Sequence, residues 1–198
     1  MSCELLAANA IGRVQLIYAS FGFPLTDMAN IRMDPALAGG ALMDAGSYPI
    51  SFVRMVAGAR PTRVKALARW AETAVDSTIV GLLEFESGLL AQISGSFSTS
   101  RHRRALIIGD TGQIETSYLN DTGAALNLPP VITLRKGTGW DATQETITLD
   151  EASGFFVEAE AFHDLVRYGW DRWPGATPEE SIDIAWTIEA MAKNARAG

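Results

Sequence analysis

Residues 39–58, GGALMDAGSYPISFVRMVAG, place a carboxylate and a phenol four positions apart at the start of an apolar helical pattern. In a continuous helix Asp44 and Tyr48 share one face, because residues four apart stack one turn above the other. A break in that helix could turn the phenol toward a cleft. The competing reading makes Tyr48 a half-buried core tyrosine and Asp44 a helix-start carboxylate favoured by the dipole. Pro49 removes an amide donor and pushes Tyr48 away from helical geometry, so a kink or boundary is expected near 48–49. Arg32 and Asp27, in the loop before the glycines, are further pocket candidates; solvated loop charges are the alternative.

Other chemistry finds less support. His102 stands among arginines and His163 in a helical pattern, with no second ligand at metal spacing, so no metal site is expected. Asp-Thr-Gly occurs at 110–112 and 121–123. An aspartic-protease dyad uses this tripeptide, but these copies lie too close to belong to two equivalent lobes, and Asp and Gly also form turns. The sequence contains no GxGxxG, Walker loop or GxSxG. Cys3 is the single cysteine, so no internal disulfide can form.

The elements that must position Asp44 and Tyr48 follow from periodicity. Residues 4–10 read as a helix tail and 13–23, RVQLIYASFGF, as a strand. Residues 24–38 are irregular, and the helix after Gly40 stops at Gly58 and Pro61. The runs 64–72, 77–86, 89–98 and 103–109 read as strands of an antiparallel meander, with Ser87-Gly88 as a two-residue hairpin turn. A turn at 110–112 leads into QIETSY, 119–130 reads as a loop, and 131–136 and 145–150 as weaker strands. In 89–97, Leu89, Ala91, Ile93 and Phe97 give one apolar face, while Gln92, Ser94 and Ser96 lie on the other. Residues 155–170 and 178–195 read as helices, the second opened by a capping box of Thr177 and Glu180. The class is α+β: a largely antiparallel sheet with helices packed on one face and the other face available for dimerisation.

The chain has 198 residues, 47% hydrophobic and 20% charged, with net charge −7. It is long enough to build a core without staples. Arg101-His102-Arg103-Arg104 is the one basic cluster, which argues against nucleic-acid binding. No signal peptide or membrane-spanning run is evident, so the expected location is cytoplasmic.

The motif Gly39-Gly40-Ala41-Leu42-Met43-Asp44-Ala45-Gly46-Ser47-Tyr48 resembles the G-G-x-L-x-D-x-G-x-(H/Y) segment of the glucose–fructose oxidoreductase / inositol dehydrogenase (Gfo/Idh/MocA) family. NAIGRVQLIYASFGF, DSTIVGLLEFESGLLAQISGSF and the two closing helical segments resemble the same family's substrate domain, in order. Tyrosine at the last motif position is similar to the branch of dimeric dihydrodiol dehydrogenases and NADP-dependent xylose dehydrogenases. The resemblance implies that residues 1–198 are a substrate-binding and dimerisation domain whose N-terminal Rossmann domain is absent from this chain. It implies oxidation or reduction of a sugar, polyol or dihydrodiol, with Tyr48 as proton donor/acceptor and Asp44 on the substrate. NAD or NADP would serve the full-length family member, and homo-oligomers would form through the sheet. The family's helper lysine, from a Glu-Lys-Pro motif in its cofactor domain, has no counterpart here: Lys65, Lys136 and Lys193 do not precede proline. Cofactor-binding residues are therefore not assigned, and the chain alone is expected to hold neither NADH nor NADPH tightly. The alternative is a non-catalytic small-molecule-binding or dimerisation module derived from that family.

Overall fold

The computed structural model describes residues 2–116, 131–149 and 154–197. Its α-helices are α1 (Ser2–Ala7), α2 (Ser47–Ala57), α3 (Gly154–Tyr168) and α4 (Pro178–Ala197). Its strands are β1 (Val14–Gly22), β2 (Arg63–Trp70), β3 (Asp76–Glu84), β4 (Leu90–Ser96), β5 (His102–Gly109), β6 (Gly112–Thr116), β7 (Val131–Lys136) and β8 (Thr143–Thr148). They form one eight-stranded sheet in the order β2-β3-β4-β1-β5-β6-β7-β8. The α+β class and the largely antiparallel sheet agree with the sequence reading.

The order corrects one expectation. β4 and β5 follow each other in the chain but are not neighbours. β1 lies between them, parallel to β4 with Ile17 opposite Ala91, and antiparallel to β5 with Ile17 opposite Ile107. Alternation reveals which face a strand buries and leaves its neighbours open. The β3–β4 turn also differs. The Gly88 amide donates to the Phe85 carbonyl, Phe85 and Leu89 close the loop, and Gly88 has φ +84°. This is a three-residue loop ending in a left-handed glycine, a common hairpin solution.

One face of the sheet is covered. Ile17 and Ala19 of β1, Ile79 and Leu83 of β3, Ala91 and Ile93 of β4, and Ala105 and Ile107 of β5 bury against Ile50 and Val53 of α2 and Met191 of α4. Leu5 and Leu6 of α1 pack against the same cluster. Burying such side chains is worth about 1.5–3 kcal/mol each, so this layer holds the fold. The other face leaves Tyr18, Leu67, Val80, Leu82 and Leu90 exposed.

α2 is fastened to α4 by Arg54, whose Nε donates to Asp183 at 2.8 Å. α4 begins as expected: the Thr177 amide donates to Glu180 at 2.9 Å, and the Glu180 amide to Thr177 Oγ1 at 3.2 Å. α3 has the Trp170–Arg172 turn as its main neighbour and exposes Phe155, Phe156, Phe162 and Val166. No described helix is long and apolar enough to cross a membrane.

Candidate functional site

The segment carrying Asp44 and Tyr48 lies against the sheet at the end of β1 and β4. Two glycines permit this. Gly40 has φ +125°, and a Cβ there would collide with Asp76 Oδ1. A Cβ on Gly95 of β4 would meet the Gly46 amide nitrogen at 2.8 Å, so only a bare strand position lets the helix approach so closely.

The helix does not start with regular geometry. Leu42–Gly46 form a π-helical turn, and α2 continues from Ser47. The discontinuity expected near 48–49 therefore falls just before Tyr48, and Pro49, which has no amide to donate, follows the π turn within one continuous helical run. Ser47 Oγ donates to the Asp44 carbonyl at 2.9 Å, supplying a donor beside the proline. Single π turns of this kind are frequent at functional positions.

Asp76, at the start of β3, anchors the segment from outside. Its Oδ2 accepts from the Leu42 amide at 2.6 Å, a carboxylate cap drawn from a distant strand. Burial pushes the Asp76 carboxyl above its ordinary range; hydrogen bonds from Leu42, its own amide and Ala41, and the Arg196 charge, pull the other way. No motif in the sequence marks Asp76 for this task.

Asp44 and Arg32 come together: Arg32 Nε donates to Asp44 Oδ1 at 2.8 Å, and both side chains are part-exposed. The Arg32 loop is set by two short turns in which Asn30 accepts from the Arg32 amide and Asp34 from the Ala36 amide. Tyr48 is 47% exposed, with its ring edge-on to Phe21 at 5.3 Å between centroids. The tyrosine is therefore accessible rather than sealed in hydrocarbon. Asp27 is not brought to this group: it is exposed, and its Oδ1 accepts from the Ala29 amide in a local turn.

Sequence reading missed Arg103 as a member of the site. It sits opposite Phe21 in the β1–β5 register, on the helix-covered face. Its guanidinium carbon is 4.0 Å from the Phe21 ring centroid and 5.7 Å from that of Tyr48. The signal was available: Ile107 and Ala105 predict a third apolar residue in that row, and an arginine stands there instead. Phe23 and Phe97 extend the aromatic wall beside Phe21, with ring centroids 5.3 Å apart. His102 Nδ1 lies 2.8 Å from the Ser100 carbonyl, and His163 is exposed on α3. Among the described residues no group of three or more His, Cys, Asp or Glu is placed to hold a metal. Asp110 Oδ1 accepts from the Arg13 amide at 2.9 Å in the β5–β6 turn; the second Asp-Thr-Gly, 121–123, lies outside the described residues.

Residues 3–115 match the family model described as the GFO/IDH/MocA C-terminal domain. A D-xylose 1-dehydrogenase (NADP(+)) from Haloferax volcanii is 32% identical over 98% of this chain. A trans-1,2-dihydrobenzene-1,2-diol dehydrogenase from Oryctolagus cuniculus is 35% identical over 96% of it. The chain spans 57% of the length of each. Among solved structures, the 3-ketoreductase KijD10 from Actinomadura kijaniata, in complex with NADP and TDP-benzene, superposes with a TM-score of 0.82 at 25% identity, covering 98% of this chain and 57% of that one. The aldose–aldose oxidoreductase from Caulobacter crescentus, complexed with glycerol, superposes at 0.81 with 23% identity and the same coverages, a likeness of fold.

Proposed function

The chain belongs to the GFO/IDH/MocA family through its C-terminal domain, and from that premise we propose that it is the substrate-binding half of an NAD(P)-dependent oxidoreductase acting on a sugar, polyol or dihydrodiol. The observation that carries the reading is an accessible Tyr48 phenol held one turn beyond the Asp44–Arg32 pair, on a helix that two glycines and Asp76 press against the sheet. The relatives' names, a xylose dehydrogenase and dihydrodiol dehydrogenases, support the substrate class.

The described residues do not fit the dinucleotide itself. A pyrophosphate would need a glycine-led helix start with free amides. The one after Gly40 already holds the Asp76 carboxylate on its Leu42 amide. A separate Rossmann domain would hold the nicotinamide and supply its hydride chemistry. This chain's share is to bind substrate and move a proton. As a substrate carbonyl becomes an alcohol, its oxygen gains negative charge, and Tyr48 Oη donates the proton it needs; in the reverse direction Oη takes that proton back. Asp44 accepts from substrate hydroxyls, and the Arg32 contact keeps its carboxylate turned to the same side.

With the cofactor domain joined N-terminally, Tyr48→Phe should lower turnover by two orders of magnitude or more while substrate affinity changes only modestly, about the 10²–10⁴-fold span of a positioned acid/base. Steady-state kinetics with separate kcat and KM check this, and an unchanged kcat removes Tyr48 from the mechanism.

A second reading, a binding or dimerisation module without catalysis, is favoured by the open sheet face, where Leu67 is 75% exposed beside Val80, Leu82 and Leu90. Pairing of two copies through that face is compatible with either reading. Sedimentation that finds only monomer at high concentration would exclude it.

A further inference from the structure

Resting on the pocket reading above, we propose that Arg103 is a substrate-binding residue that selects an anionic oxygen group, a carboxylate or a phosphate, on the molecule whose reacting oxygen meets Tyr48. Arg103 is half-buried on the covered face of the sheet, where packing alone would favour an apolar side chain. Its guanidinium carbon lies over the Phe21 ring, 4.0 Å from the centroid. A guanidinium carries its five donors around its edge, so stacking leaves them available. Among the described residues no carboxylate pairs with it, whereas Arg32, Arg54, Arg63 and Arg104 each have one. Arg32 is already neutralised by Asp44. Arg101 stands over the Phe23 ring farther along the same wall, so Arg103 is the guanidinium beside Tyr48 with no carboxylate partner among the described residues.

Stacking also fixes Arg103 in advance. An arginine stacked on Phe21 loses little further freedom when it grips a ligand, and its planar fork matches carboxylate and phosphate oxygens. Tyr48, 5.7 Å from the guanidinium by its ring centroid, sets the scale: the anionic group lies within a few bonds of the reacting carbon. Sugar acids and polyol phosphates have that shape, and neutral polyols lack the charge.

The test uses the full 198-residue chain, isotope-labelled, titrated with D-gluconate, D-glucitol 6-phosphate and neutral D-glucitol while the resonances of residues 44–48 and 103 are followed. One or both anions should bind about tenfold more tightly than glucitol, the worth of a charge-assisted hydrogen bond; which one does so distinguishes carboxylate from phosphate. Arg103→Gln should bring all three within about twofold, and Arg103→Lys should retain part of the preference by keeping the charge without the fork. The spectra of both variants report whether they remain folded. Equal affinities in the unmodified chain, a preference that survives Arg103→Gln, or no binding of any probe at millimolar concentration overturns the proposal. Its failure is separable from that of the catalytic reading. Tyr48→Phe should leave the anion preference intact, so a full kcat in the Tyr48→Phe two-domain enzyme beside an intact preference would sink the proton-donor role alone.

Discussion

α2 and α3 are both amphipathic helices of similar length, and they meet opposite fates. α2 buries Ile50 and Val53 in the sheet-side core, is tied to α4 through Arg54, and carries Tyr48 to an accessible position. α3 leaves Phe155, Phe156, Phe162 and Val166 in the open. The lesson is that an apolar stripe announces a need for cover without saying what supplies it. For α2 the cover is this chain's own sheet.

That contrast can be broken by substitution. The largest effect is expected in the layer under α2: Ile93→Ala, at a fully buried position, should cost about 2–5 kcal/mol in urea denaturation. Phe162→Ala on α3 should fall within about 0.5 kcal/mol, because Phe162 is exposed. Similar losses at both positions would mean that α3 is covered after all. An intermediate effect is expected at Gly95. Valine there must displace the Gly46 backbone, so Gly95→Val should cost about 1–3 kcal/mol and shift the resonances of Asp44 and Tyr48 while leaving those of α3 in place. Movement of α3 signals instead would show that the two helices are coupled.

The smallest effect concerns Asp76. Its carboxyl is raised above the ordinary value of 3.8, so its ionisation costs more in the folded chain than in the unfolded one. The stability linked to its protonation is present below the unfolded value and is lost as pH rises through the folded one. As pH falls from neutral toward that window, the unmodified chain should gain stability relative to Asp76→Asn. Denaturation of both proteins at a series of pH values measures the difference; a constant difference would place Asp76 in a fully solvated setting.

Much of this was legible in the residues. The Thr177–Glu180 capping box, the Gly58 stop and the strand faces of Leu89, Ala91 and Ile93 follow from side-chain chemistry and period alone. The Gly39–Tyr48 motif pointed to Asp44 and Tyr48, the loop before it offered Arg32, and Arg32 joins Asp44 through an ion pair. Other features were hidden for physical reasons. The slot of β1 depends on which backbone edges meet, and side chains do not encode that. The π turn is a hydrogen-bond pattern without a residue signature. Asp76 reaches Leu42 across the whole of α2 and β2, so local spacing could not connect them. Asp27 accepts from the Ala29 amide in its own turn, a local partner that its place near the motif did not reveal.

The slot of β1 also sets a timetable. As the chain leaves the ribosome, β1 emerges before either of its flanking strands exists, and Leu16 must wait for Leu90 and then Ile108. Such distant pairings form slowly and leave a nascent edge unprotected meanwhile. Phe21 and Arg103 meet only when that wait is over, so the surface around Tyr48 is finished only once β1 has taken its place between β4 and β5.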